Sequence, residues 1–317
     1  MLSCFSKLSP QVNLNNVFRK LVTSFVCFSL CLLSAQDRLP IDLTTEIEQV
    51  EEFPIEVDKL DEFIQSYYTL LDSEEYLKGF SFIKTDSNTI NNWEKRLSRF
   101  LLKLMELRSG LRDQVTIYQI GDSHIKSGFL ATTVRSSLKE YFEAGDSGQH
   151  GTLNYQFTGV NGGSFQNLLK NTLIFNRCKE LSPDLIIISL GTNDAQGTYN
   201  AKRFRGEIAA FMDHLSVIQD EAVILFTLPP DSNKRGKHNA DLEKVGSEIE
   251  AWAEEHDYAW WDLSAVMGGK KSISKWRSEG LASKDMIHFS PQGYMLQGKL
   301  LYQALMRAYT SYAGADE

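Results

Sequence analysis

Four short blocks of the chain hold residues that could carry out acyl transfer. Gly121-Asp122-Ser123-His124 supplies a hydroxyl, and Gly159-Val160-Asn161-Gly162-Gly163-Ser164 is a glycine-rich turn. Gly191-Thr192-Asn193-Asp194 supplies a side-chain amide, and Asp285-Met286-Ile287-His288 sets a carboxylate three residues before an imidazole. A serine hydroxyl is a poor nucleophile until a base takes its proton, which makes Ser123 the candidate nucleophile and His288 the candidate base. One turn can hold both Asp285 and His288, so the carboxylate can orient the ring. Taken singly, each block also has a plain structural reading. Ser123 could be a turn serine, Asn193 and Asp194 a turn or helix cap, and His288 a satisfied interior histidine. Asp122 and Asp194 read as residues that stabilise their loops.

The elements around the blocks separate these readings. Residues 115–120 alternate as a strand, 155–160 form a weaker one, and 184–190 are a continuous apolar run of the kind buried on both faces of a sheet. Further strands are expected at 222–228, closed by Pro229-Pro230, and at 258–263. Helical spacing appears between them, at 129–142, 165–178, 203–218 and 240–256, and a last helix runs from Pro291 to about residue 312. This alternation implies a three-layer α/β/α fold with a five-stranded, parallel, flavodoxin-like sheet. Two helical stretches, 60–77 and 90–107, precede it. In such sheets ligands bind beyond the carboxyl ends of the strands. All four blocks follow expected strands or close the last one, so together they favour a site over four unrelated turns.

In this order and placement the blocks resemble those of the SGNH (GDSL-type) serine hydrolases, over roughly residues 115–309. The resemblance implies an oxyanion hole made by the backbone N–H groups of Ser123 and Gly162 and the side-chain amide of Asn193. Glycine at 162 would let the backbone approach the substrate. The Gly-Asp-Ser-His variant is shared with exported bacterial members, including peptidoglycan O-acetylesterases. Met267-Gly268-Gly269 through Trp276, Gly280-Leu281-Ala282 to Asp285, and Gly293-Tyr294 also look like theirs. The implied activity is hydrolysis of small acyl esters, O-acetyl esters of a carbohydrate above all, with an O-acetylated glycan as partner. The alternatives are an O-acetyltransferase using the same serine, a lipase- or thioesterase-type esterase, and an inactive binding protein; the late Asp285/His288 pair favours hydrolysis over transfer. His124 and Trp276 are possible substrate contacts, although Trp276 could equally be a packing residue. Lys234, Arg235, Lys237 and His238 follow the fourth strand at the same edge, where they could meet an acidic glycan or form a solvated loop.

Composition narrows the classes. The 317 residues are 42% hydrophobic and 23% charged, an ordinary globular balance, and the formal charge of −8 argues against a sequence-independent nucleic-acid binder. Arg19 and Lys20 before an apolar run at 21–33, then Ser34-Ala35, form a signal-peptide pattern with cleavage expected after Ala35. The run falls short of the roughly 20 apolar residues of a membrane span, so no transmembrane segment is expected in the mature chain, which would be periplasmic or extracellular. Losing the leader removes Lys7, Arg19 and Lys20 and no acid, and moves the formal charge from −8 to −11. It also leaves Cys178 as the sole cysteine, in an apolar stretch that reads as core. The expected organisation is a signal peptide at 1–35, an acidic strap and helical lead-in at 36–110 packing on the core, and a hydrolase domain at 111–317. No cofactor is implied. The histidines outside the blocks lack metal-ligand spacing.

Overall fold

The computed structural model describes residues 79–143, 151–218 and 221–314. The expected cleavage site, the acidic strap and the first helical stretch lie outside these residues. After a 3-10 turn at Thr85–Ser87 the described chain runs β1 (Ile90–Asn91), α1 (Trp93–Arg96) and α2 (Ser98–Arg108). Then come β2 (Gln114–Gly121), α3 (Ser123–Lys126), α4 (Phe129–Glu143), β3 (Thr152–Gly159), α5 (Phe165–Leu168) and α6 (Thr172–Leu181). The middle holds β4 (Leu185–Ser189), α7 (Thr192–Gln196), α8 (Ala201–Ile218) and β5 (Val223–Leu228), then a small hairpin of β6 (Asn233–Lys234) and β7 (Lys237–His238). The chain closes with α9 (Ala240–Glu255), β8 (Ala259–Asp262), α10 (Leu263–Val266), α11 (Ser272–Ser278) and α12 (Pro291–Gly314).

The main sheet has the order β1-β8-β5-β4-β2-β3. Its five parallel strands are those expected from the sequence, and their order is the flavodoxin-like one, with the chain reversing direction across the sheet between β2 and β4. The sixth strand, β1, pairs antiparallel with β8 through Ile90↔Trp261 and Asn91↔Trp260. It comes from the segment expected to be one helix over 90–107. That helix starts later because Asn92 sits at φ 59, in the left-handed region, and turns the chain out of the strand. The stretch expected as one helix over 165–178 is likewise split into α5 and α6, with Asn171 capping the second through a bond from Leu173 N–H.

Side chains alternate across the strands and build two cores. Val115, Ile117, Leu185, Ile187, Leu225 and Trp261 face α2, α4 and α12. Tyr118, Ile120, Ile186, Ile188, Phe226 and Trp260 face α6, α8 and α9. Leu97, Phe100, Leu101, Leu104 and Leu107, the apolar stripe of the lead-in, belong to the first core. Each such side chain contributes roughly 1.5–3 kcal/mol by leaving water. Cys178 lies in the second core, and burial pushes its thiol up to about 11. It is an inert packing residue, as its apolar surroundings suggest.

Candidate active site

The nucleophile segment begins where β2 ends. Asp122 caps α3, its carboxylate accepting from the His124 N–H at 2.9 Å, and Ser123 takes the first helical position. Its own N–H is therefore one of the helix-start donors without an intrahelical acceptor. The turn fits only because β3 ends in glycine. A Cβ at Gly159 would lie 2.0 Å from the backbone nitrogen of Lys126, so any side chain there would push α3 off the sheet.

The structure brings Ser123, His288 and Asp285 into one line. The Ser123 Oγ is 3.0 Å from His288 Nε2, and His288 Nδ1 is 2.7 Å from Asp285 Oδ2. Asp285 Oδ1 accepts from the N–H groups of Ile287 and His288, at 2.9 and 3.0 Å. Partial burial works to raise the Asp285 carboxyl, but the His288 ring and these two N–H groups outweigh it and hold it below its ordinary range. The loop closes on itself through Ser283 N–H to His288 C=O and through the bridge between Ala282 and Phe289. Met286 turns it at φ 54.

The other two blocks face the same serine loop. Gly162 has φ +68, its N–H meets no acceptor among the described residues, and a Cβ there would have nothing within 4 Å. The block is thus open on that side, and the glycine is needed for the backbone angle. Asn193, in the first turn of α7, donates through Nδ2 to Gly163 C=O at 3.0 Å and makes a longer 3.4 Å contact with Asp122 Oδ2. Asp194 ties α7 to α5 by accepting from the Phe165 N–H at 3.2 Å. Burial pushes both Asp122 and Asp194 up to about 7, against the pull of these donors. Both act as loop fasteners, the role expected of them.

Two expected substrate contacts are not at the surface. Trp276 is 0% exposed; its Nε1–H donates to Met267 C=O at 2.9 Å and its ring meets the edge of Phe289 at 5.4 Å. It supports the catalytic-type loop from beneath and offers no face to a sugar, because α11 and the loop at 281–289 close over it. His124 is also buried, its Nδ1 3.1 Å from the Tyr294 hydroxyl and its ring 5.4 Å from that of His288. Burial, and then the neighbouring His288, push the His124 ring down to about 3, so it packs as a neutral ring.

Sequence reasoning missed Asn233. Its N–H donates to Met286 C=O at 2.8 Å and its side-chain amide reaches the Met286 sulfur at 3.1 Å, while Gln196 donates to its C=O at 2.7 Å. The hairpin β6–β7 thereby braces the Asp285–His288 loop and α7 together. No local pattern announces this, since both partners, Met286 and Gln196, are distant in sequence. Among the described residues no cluster of His, Cys, Asp and Glu could hold a metal ion.

The sequence profile of the GDSL-like lipase/acylhydrolase family matches residues 120–296, a span that contains Ser123, Gly162, Asn193, Asp285 and His288. The chain belongs to that family. Membership makes it a carboxylic ester hydrolase. No curated protein matches this GDSL-like chain in sequence. Among solved structures, a peptidoglycan O-acetylesterase superposes with TM-score 0.60 at 16% identity, covering 73% of this chain and 98% of its own. A two-domain esterase active on acetylated mannans superposes with TM-score 0.54 at 17% identity, over 72% of this chain and 58% of its own. At these identities the likeness speaks for the fold.

Proposed function

We propose that this GDSL-like hydrolase is an exported serine esterase that removes O-acetyl groups from a glycan. The observation that carries the reading is the unbroken line from Ser123 Oγ through His288 to Asp285, at 3.0 and 2.7 Å. In this mechanism Ser123 Oγ attacks the ester carbonyl while His288 Nε2 takes its proton. Asp285 holds the Nδ1–H and so fixes the tautomer that leaves Nε2 free to accept. The oxyanion is met by the N–H groups of Ser123 and Gly162 and by Asn193 Nδ2, whose long contact with Asp122 is the one that yields to it. His288 then protonates the departing sugar oxygen, leaving an acetyl-enzyme. A water, deprotonated by the same imidazole, releases acetate.

The triad is open to solvent, so water can reach the acetyl-enzyme. The side chains of Asp285 and His288 are 45% and 42% exposed. The choice of an acetylated glycan is supported by the two superposable esterases, one named for peptidoglycan and one active on acetylated mannans. Export is supported by the leader pattern ending at Ala35, and the mature chain is expected to begin at Gln36. The test is acetate release from a chromogenic acetyl ester and from O-acetylated peptidoglycan by the purified enzyme. Ser123→Ala should abolish both, and Asn193→Ala should cost about 10²- to 10³-fold in kcat, the usual loss for one oxyanion donor. Undiminished hydrolysis by Ser123→Ala would overturn the assignment.

A further inference from the structure

A groove of about 710 Å³ lies between the β6–β7 hairpin and the loop that follows α7. Its walls include Tyr199, Lys234, Arg235 and Lys237. It adjoins the site on two sides. Asn233, at the base of the hairpin, bonds Met286 within the Asp285–His288 loop, and Gln196, which ends the helix carrying Asn193, bonds Asn233.

The charges around the groove are unequal. Asp241 is engaged by both Lys234 and Lys244, each at 2.9 Å. Glu243 is engaged by Lys270 at 2.9 Å and by His238 at 3.0 Å. Asp231 is buried and accepts from the Ile273 N–H. The acids are thus already matched. Arg235 and Lys237 are exposed and have neither an ion pair nor a side-chain hydrogen bond among the described residues. They are held in place by the hairpin, whose two-residue turn puts Arg235 at φ 53 and Gly236 at φ 74. Such a turn favours Asn or Gly at the first of these positions, and an arginine in the left-handed region is strained. No ion pair or side-chain hydrogen bond of Arg235 among the described residues offsets that strain. On a chain of formal charge −8, this is a cationic patch on the hairpin that braces the Asp285–His288 loop. Tyr199 closes the wall, its ring packed beside Phe204 with the Lys244 ammonium over it at 5.7 Å.

We propose that this groove is a subsite for an acidic sugar, in which Arg235 and Lys237 hold a carboxylate on a unit flanking the acetylated one. The inference rests on the esterase reading for its orientation, but its binding step needs no turnover. Ser123→Ala protein is run by affinity electrophoresis through gels containing polygalacturonate, poly(glycerol phosphate) or neutral mannan. Retardation by polygalacturonate is expected, weakened by 0.5 M salt on the order of tenfold as exposed ion pairs are screened. It should be lost when Arg235→Gln and Lys237→Gln are added, with no change in the neutral gel. Equal retardation with and without the two substitutions overturns the proposal, and retardation by the phosphate polymer alone overturns the carboxylate assignment. In the active enzyme, the same pair of substitutions should lower the ratio of kcat/KM on acetylated pectin to that on acetylated mannan by about 5- to 10-fold, chiefly through KM. An unchanged ratio also overturns it. If the wild-type enzyme cleaves no acetyl ester, the esterase reading fails and the gel result still decides the subsite.

Discussion

Asp122 shows how one side chain can serve a site without taking part in its chemistry. It caps the helix that starts with Ser123 and accepts from Asn193, so it sets the distance between the Ser123 hydroxyl and the Asn193 amide. Burial pushes it up to about 7, from an ordinary carboxylate value when unfolded. The folded protein therefore binds more protons than the unfolded chain between about pH 4 and pH 7, and stability falls as pH rises through that window. Asp122→Asn keeps the cap and removes the titration. Thermal melts from pH 5 to pH 8 should show a shallower decline for the variant, by an amount on the order of 2–4 kcal/mol. An identical pH profile would mean that Asp122 is ionised throughout. At this scale Ser123, Asp285 and His288 could be read from residue type and spacing. The burial of His124 and Trp276 could not, since a histidine or tryptophan beside a site has the same local signature whether it faces solvent or core.

Among the elements, α11 and the Asp285–His288 loop form one packed unit. Trp276 fills the space beneath the loop, touching Phe289 on one side and Phe82 of the lead-in on the other. Trp276→Ala should cost about 3–5 kcal/mol of stability, the range for deleting a large buried aromatic. It should also lower kcat by loosening His288. A sugar platform would behave differently, with KM rising and the melting temperature unchanged, so urea unfolding together with kinetics tells the two roles apart. The alternation of strands and helices was legible because apolar runs and helical spacing are local. The edge strand β1 was not: two residues have no period, and its partner Trp261 lies far along the chain. The hairpin brace at Asn233 escaped notice for the same reason.

At the scale of the described chain, residues 79–110 are built into the hydrolase domain rather than attached to it. Asn88 joins the two, its side chain accepting from Trp261 Nε1–H at 2.8 Å and donating to Leu300 C=O at 2.8 Å. The α2 stripe from Leu97 to Leu107 covers the face formed by α4, α12 and the sheet. A chain started at residue 111 would expose that face and the β8 edge, a large apolar patch and an open strand together. Such a truncation is expected to be insoluble or to bind a hydrophobic dye strongly, measured by centrifugation and fluorescence. A soluble, active product would show that the lead-in is dispensable.

The sequence by itself determined which chemical groups are available, their order, and the strand ends to which they attach, because residue type and periodicity are properties of neighbouring positions. It also carried the family pattern that the profile match over 120–296 made firm. Only the tertiary structure decided which groups meet. Ser123 and His288 stand 165 positions apart yet lie at 3.0 Å, because parallel strands return the chain to the same sheet edge after every helix. The same packing buried Trp276 under the loop it was expected to flank, and it set Arg235 and Lys237, unpaired among the described residues, in the wall of the groove. Burial and pairing depend on the whole set of neighbours that folding assembles, and no window of sequence contains that set.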